Sequence, residues 1–511
     1  MAARLRKHFC EVLEGRLILT AVVAGSVELV NDVIIGDQLV QTEGAVTATG
    51  SGSLVTVYAG RGTGDRDGVF FRTLDSDGIA TGPSQLVNQT VAGIQSNAAI
   101  AMLPEAGFVI VWQGRGAGDR EGIFARWYDS SGNPITGEVL INQTTGGVQA
   151  NPAVAVASDG SASFVWQGVG AGDFDGIFYR RFDATGQPLT GEILVNTTTS
   201  QEQAEPDVAI NSSDVVLVTW SSRHQDGSDL GVYAQRMSLD GSKLGAEFLV
   251  NSNTSASQSG ATVIDSGEAF TVAWQSRNQD GDGWGIFAQQ IDPSDGLVGG
   301  ELQVNDVITG NQLEVALAQT DQGQLIATWT NGIADGTGWN VKATIVEFNS
   351  SNVNPANEFF VNTDTANDQF GHQRRPSAVA VDSAIAIAWG GDGPVDHDGT
   401  YLTCILFDEV NIAPDITPIS DQSAQVGVEM IVEVTATDAN VGDTLTYQLD
   451  PDNLPAGATI EKVNNNQATI RWTPTSDFAG QSVVFRVLVI DDGEPPLADS
   501  EEFTVTVSGV S

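Results

Sequence analysis

Seven acidic, glycine-rich strings punctuate this chain: GRGTGDRDG, GRGAGDREG, GVGAGDFDG, SRHQDGSDLG, SRNQDGDGWG, NGIADGTGWN and GGDGPVDHDG. Their carboxylates are Asp65, Asp67, Asp119, Asp173, Asp175, Asp226, Asp229, Asp280, Asp282, Asp335, Asp396 and Asp398. Hard oxygens so grouped are the donors that calcium takes, six to eight at a time. Asp226, Asp229, Asp280, Asp282, Asp396 and Asp398 are the ring's candidate calcium ligands. Each loop offers at most three carboxylates, and none matches the D-x-[DN]-x-[DN]-G loop with its distal Glu. The competing reading is structural: Asp side chains accept bonds from nearby backbone amides, and Gly supplies positive φ in tight turns. A feature present in every repeat more often serves the repeat's fold.

Chemistry private to one place needs a break in the pattern. The longest is TDTANDQFGHQRRPS, 363–377, with His372, Arg374 and Arg375 as candidate ligand-binding residues. A longer loop whose arginines offset neighbouring carboxylates is the alternative. The other histidines are His8, His224 and His397, the last two beside Asp226 and Asp396. Phosphate-loop, H-E-x-x-H and G-x-S-x-G patterns are absent. Paired carboxylates for glycoside hydrolysis exist among so many Asp, but nothing singles out one pair.

Composition narrows the classes further. With 22 basic and 65 acidic residues the net charge is −43, which argues against a nucleic-acid groove. Cation binding or repulsive solubilisation fits better. Two cysteines, Cys10 and Cys404, make no disulfide framework. No apolar run of about 18 residues occurs, so no transmembrane helix is expected.

The elements that must position these loops recur. Tyr58, Trp112, Trp166, Trp220, Trp274, Trp329 and Trp389 stand 54, 54, 54, 54, 55 and 60 residues apart. Asn31, Asn88, Asn142, Asn196, Asn251, Asn305 and Asn362 run in step. Short alternating runs such as Phe108–Trp112 have the period of strands, with Gly, Asn and Pro turns between them. About four strands per unit predict a propeller blade. The last unit has strands near 378–381, 384–389 and 401–407 but lacks the Glu-x-x-Val-Asn strand, and an orphan copy stands at Val27–Asn31. The expected fold is therefore all-β, a seven-bladed propeller over 25–408 closed by its own N-terminal strand. Closure would remove exposed strand edges. The tryptophans, fixed at strand ends, are expected in the core rather than stacked on sugars.

From Asp408 the rhythm stops, and Pro414 and Pro418 mark a boundary. Strands are expected near 431–435, 444–449, 468–472, 483–490 and 503–507, the pattern of an immunoglobulin-like sandwich over 409–511.

Three resemblances accompany these readings. Trp220–Arg236 and Trp274–Gln290 resemble the repeat of large bacterial surface and adhesin-like propellers, which implies an extracellular setting and no particular reaction. The stretches TATDANVGDTLTY, LPAGATI and RWTPT resemble cadherin-like and Ig-type modules of bacterial surface proteins. That resemblance implies calcium held by acidic residues: Asp408, Glu409 and Asn411 in DEVNIAP, then Asp438 and Asp443, with Asp491 able to add oxygens. VLEGRLILT, 12–20, resembles the LEPRxLL-type segment of exported bacterial proteins through Leu13, Glu14, Arg16 and Leu19, with Gly15 departing from it. It implies that residues 1–24 direct export to the bacterial surface or beyond; a plain N-terminal extension is the alternative.

The leading expectation is an exported, non-catalytic surface or matrix protein for adhesion or recognition of a cell-surface protein or glycan. The second is a carbohydrate-binding protein or glycoside-acting enzyme using the acidic face.

Overall fold

The computed structural model describes residues 20–34, 36–42, 44–50, 52–104, 107–267, 269–294, 296–320, 323–332, 338–348, 358–362, 373–381, 384–391, 396, 398–408, 413–438, 440, 443–451, 454–493 and 496–509. Segment 1–19, on which the export reading rests, lies outside them, as do Asp335, His372, His397, Glu409 and Asn411. Two compact units divide the chain, Ala21–Phe407 and Asp408–Ser511.

The larger unit is a β-propeller. Among the described residues its strands repeat one antiparallel plan, and the fifth and sixth repeats share a sheet through the parallel pair of Trp284 with Asn311. The second runs Gln95–Met102, Phe108–Gly116, Asp119–Tyr128 and Val139–Leu140, each strand paired with the next. The third and fourth begin with inner strands Gln149–Val156 and Gln203–Ile210, the fifth and sixth with Gln258–Asp265 and Asn311–Gln319. In the first, the inner strand is split into Gln38–Leu39 and Val46–Ala48. The last has Gln373–Val381, Ala384–Gly391 and Gly399–Asp408, and its fourth strand is Thr20–Leu29.

That fourth strand hands over to the same polar lock as its counterparts. Val30 N–H donates to Thr400 O at 2.7 Å, as Ile141 N–H does to Ile123 O at 2.8 Å. First and last units also touch directly: Ala45 N–H donates to Ser377 Oγ at 2.8 Å. One apolar cluster joins Val46, Tyr58 and Phe71 to Ala386, Ala388 and Leu402. Similar clusters fill the other junctions, because each blade is apolar on both faces and must bury both. The six repeat tryptophans are at most 1% exposed, so they pack the core as expected.

The asparagine series explains the turn geometry. Asn142, 2% exposed, accepts Ile123 N–H at 2.8 Å and donates to Asp119 Oδ2 at 2.7 Å and Thr144 O at 2.9 Å. Asn88 with Asp65, Asn196 with Asp173, Asn305 with Asp280 and Asn31 with Asp396 repeat the bond at 2.7–3.0 Å. A buried amide thus ties the outer strand to the acidic loop of its own unit.

The smaller unit is a two-sheet sandwich. One sheet holds Asp415–Ile416, Met430–Thr437, Gln467–Trp472 and Thr459–Asn464; the other holds Gln422–Gln425, Ala498–Ser508, Ser482–Ile490 and Thr446–Leu449. Met430–Thr437 alternates buried and exposed residues, as a strand with one core face must. Trp472, Phe485 and Phe503 fill the space between sheets. Three short strands, at 415–416, 422–425 and 459–464, were not expected from the sequence: the first two are too short for a period, and the third is largely exposed.

Candidate functional site

Aspartates of the acidic loops accept bonds from their own loops and from neighbouring segments. Asp226 Oδ1 accepts Ser228 N–H at 2.9 Å, and Asp280 Oδ1 accepts Asp282 N–H at 3.3 Å. Asp396 Oδ1 accepts Asp398 N–H at 3.3 Å, while Asp398 O accepts Gln38 N–H at 2.8 Å. Asp229 Oδ2 accepts Ser257 Oγ–H at 2.7 Å, and Asp282 Oδ2 accepts Gly310 N–H at 3.1 Å. His224 holds φ of 59° and places Nδ1 2.6 Å from Ser228 O. These contacts give the acidic loops a structural role as turn caps, while Asp226 Oδ2 is buried without a protein partner among the described residues.

The concave feature of the propeller lies elsewhere, where its inner strands meet. Each inner strand from the second unit on carries a bulge, seen as register shifts at 96–99, 150–153, 204–207, 259–262, 313–316 and 374–377. The bulged residues Asn97, Asn151, Glu205, Gly260, Glu314 and Arg375 all have φ between 49° and 61°. Five of them are not glycine, and left-handed backbone costs an ordinary residue about 1–2 kcal/mol. The strain is offset by a relay from unit to unit. Asn97 N–H donates to Gln41 Oε1 at 2.7 Å, Asn151 N–H to Gln113 Oε1 at 2.8 Å, and Glu205 N–H to Gln167 Oε1 at 2.8 Å. Gly260 N–H donates to Glu205 Oε2 at 3.0 Å, Glu314 N–H to Gln275 Oε1 at 3.1 Å, and Arg375 N–H to Glu314 Oε2 at 3.1 Å.

These residues line a cavity of about 370 Å³ to which all seven units contribute, Gln41 and Thr42 standing for the first. Such a volume falls in the range of small-molecule sites. The bulged ends of the inner strands lie near the acidic loops, because Gln95 pairs with Gly114, just before the turn to Asp119.

The cavity wall breaks the symmetry of the fold. Asn97 and Asn151 put amides on one side, with Asn97 Nδ2 donating to Asn151 Oδ1 at 2.6 Å. Glu205, Asp207 and Glu314 put carboxylates on the other. Among the described residues the cation on the wall is Arg375, whose Nε lies 3.4 Å from Glu314 Oε1. Asp207 accepts Val263 N–H at 2.8 Å, Thr262 Oγ1–H at 3.1 Å and Val208 N–H at 2.9 Å. Burial nevertheless pushes its carboxyl above the ordinary carboxylate range, while part of the residue stays open to the cavity.

Of the expected ligand residues, Arg375 is on this wall. Arg374 stacks over the Trp339 ring at 4.7 Å instead. Glu205, Asp207 and Glu314 were not singled out by the sequence reading. The available signal was the second residue after each inner-strand glutamine: Asn, Asn, Glu, Gly, Glu and Arg after Gln95, Gln149, Gln203, Gln258, Gln312 and Gln373.

The sandwich holds a separate group. Asp438, Asp443 and Asp491 each place a carboxylate oxygen within 4.8 Å of the others, and no other such group of three occurs among the described residues. Asp438 Oδ1 accepts Asn440 N–H at 2.9 Å, whereas its buried Oδ2 has no protein partner. Asp491 is 4% exposed and its Oδ1 accepts Leu497 N–H at 2.9 Å. Neighbouring Asp492 is held below the usual carboxylate range by Thr444 N–H, which reaches its Oδ1 at 2.6 Å.

Residues 413–508 match a family model described as "Putative Ig domain", in agreement with the sandwich. No curated protein matches the chain. Among solved structures, a protein of unknown function from Dyadobacter fermentans is 9% identical over 63% of this chain and 97% of its own, with TM-score 0.44. The GH93 α-L-arabinofuranosidase of Fusarium graminearum is 12% identical over 64% and 97%, with TM-score 0.43. A PL25 ulvan lyase is 10% identical over 96% of both chains, with TM-score 0.36. Similarity this distant transfers no activity.

Proposed function

We propose that this chain is an exported bacterial surface or matrix protein whose propeller, a closed ring of seven blades, binds a glycan at its central cavity. The wall supports this reading over an adhesion platform for a protein. Amides and anchored carboxylates set side by side supply the donors and acceptors that sugar hydroxyls need, in a concave site large enough for one or two rings. The −43 net charge disfavours acidic polysaccharides and favours neutral ones. The observation that carries the reading is the mixed polar wall of Asn97, Asn151, Glu205, Glu314 and Arg375 around a cavity of about 370 Å³. A glycan array with the full chain tests it: binding to neutral oligosaccharides is expected, and loss in Glu205→Gln. Absence of any glycan binding would sink it. A hydrolase panel on the same sugars separates binding from turnover.

A second reading concerns the sandwich. Its three convergent carboxylates, one oxygen of Asp438 being buried without a protein partner, support a calcium site. Asp438, Asp443 and Asp491 would hold the ion, with carbonyls and water completing six to eight oxygens, and the ion would offset their mutual repulsion. Calcium at millimolar concentration is expected to raise the melting temperature of residues 409–511 and not that of Asp438→Asn. Equal melting with calcium and chelator would overturn it.

A further inference from the structure

Five of the six left-handed bulge positions carry a side chain, Glu205 and Glu314 accepting in the relay, and the fifth unit alone has glycine. Backbone conformation does not require it, since Asn97, Asn151, Glu205, Glu314 and Arg375 hold φ of 49–56° beside the 61° of Gly260. Crowding does not require it either. A Cβ at Gly260 would meet Gln275 Cδ and Nε2 at 3.4 Å, ordinary contact with a flexible side chain. Between the bulges of Glu205 and Glu314 the wall is therefore formed by Gly260 backbone with the Gln275 side chain beside it, a notch relative to the bulges that carry side chains.

Both flanking carboxylates are pinned through one oxygen. Glu205 Oε2 accepts Ser221 Oγ–H at 2.9 Å and Gly260 N–H at 3.0 Å, and its Oε1 has no protein partner among the described residues. Glu314 Oε2 accepts Thr330 Oγ1–H at 2.8 Å and Arg375 N–H at 3.1 Å, leaving Oε1 with the long contact to Arg375. Anchored acceptors on both sides of a gap suit a pair of hydroxyl donors. A carboxylate or sulfate there would face like charge.

We infer that the Gly260 notch is the specificity element of the cavity, seating a hydroxyl-bearing edge of a neutral sugar between Glu205 and Glu314 and rejecting uronates. The inference rests on the glycan reading above. Gly260→Asn tests it, because it restores the residue that the second and third units carry in the same backbone conformation, which asparagine tolerates. The probes are immobilised neutral gluco-, galacto-, xylo- and arabino-oligosaccharides, chitosan oligosaccharides and oligogalacturonates, with the best binder carried to calorimetry. Wild type is expected to prefer a neutral oligosaccharide, and Gly260→Asn to weaken that binding at least ten-fold with an unchanged melting temperature. Unchanged affinity in Gly260→Asn, with loss in Glu205→Gln, would overturn the notch and leave the glycan site standing. Preference for oligogalacturonate or chitosan would overturn the notch and leave a glycan site standing, whereas no glycan binding at all would overturn both. Should Gly260→Asn fold poorly, the isosteric Glu205→Gln/Glu314→Gln pair replaces it, and wild-type affinity in that variant would refute the assignment.

Discussion

Single residues show how a repeat separates structure from function. Asn142 sits in a position that recurs in every unit and makes three buried hydrogen bonds. Asn142→Ala removes the partner of Ile123 N–H and of Asp119 Oδ2, so a loss of about 1–3 kcal/mol is expected in urea unfolding. Asn142→Asp is expected to cost more at pH 7, because two carboxylates would then face each other, and less as pH falls and one proton is shared. Asp207 reports the cavity itself. Burial raises its folded pKa above the unfolded value of about 3.9. Its contribution to stability is therefore fully present below that value and lost as pH rises through the folded pKa. Between pH 4 and pH 8 the melting temperature of Asp207→Asn should move upward relative to wild type. A constant difference across that range would mean the carboxylate is not destabilised by burial.

Strands, unlike single residues, must find partners across the whole chain. Thr20–Leu29 joins a sheet whose other members begin at Gln373, so the ends of the propeller are held together by strand pairing rather than by a linker. Deleting residues 22–31 would expose Gly399–Asp408 as an unpaired edge and remove Asn31 from Asp396. Lower melting and concentration-dependent association are expected, read by calorimetry and size-exclusion chromatography; a monomer with wild-type melting would refute the closure. Within a blade, Trp166 is fully buried and its Nε1–H donates to Gln149 Oε1 at 3.0 Å. Trp166→Ala should cost about 3–5 kcal/mol in denaturant unfolding, the ordinary cost of such a void.

Across the whole molecule, charge dominates. A net −43 places long-range repulsion on a fold whose ion pairs among the described residues are few. The melting temperature should rise as sodium chloride goes from about 10 mM to 150 mM, where the screening length falls from about 30 Å to about 8 Å. A flat response would mean the charges are already neutralised by bound cations or dispersed enough not to matter.

The repeat, most of the strands, the buried tryptophans and the orphan N-terminal strand are legible in the sequence, because hydrophobic period and turn residues are local and recur along the chain. The sequence also determined that an Ig-like sandwich follows near Asp408. The tertiary structure alone decided where the polar residues meet. In the acidic loops, Asp65, Asp119, Asp173, Asp226, Asp280 and Asp396 each accept the amide of the residue two positions on, a turn cap that the loop strings alone do not reveal. Glu205, Asp207 and Glu314, which carry no motif, came to one wall because strands about 54 residues apart converge on one centre. Asp438, Asp443 and Asp491 met because strands distant in sequence fold into one end of a sandwich. Periodicity records which face of a strand is buried; which side chains share a cavity depends on closure of the chain upon itself, and no local pattern encodes that.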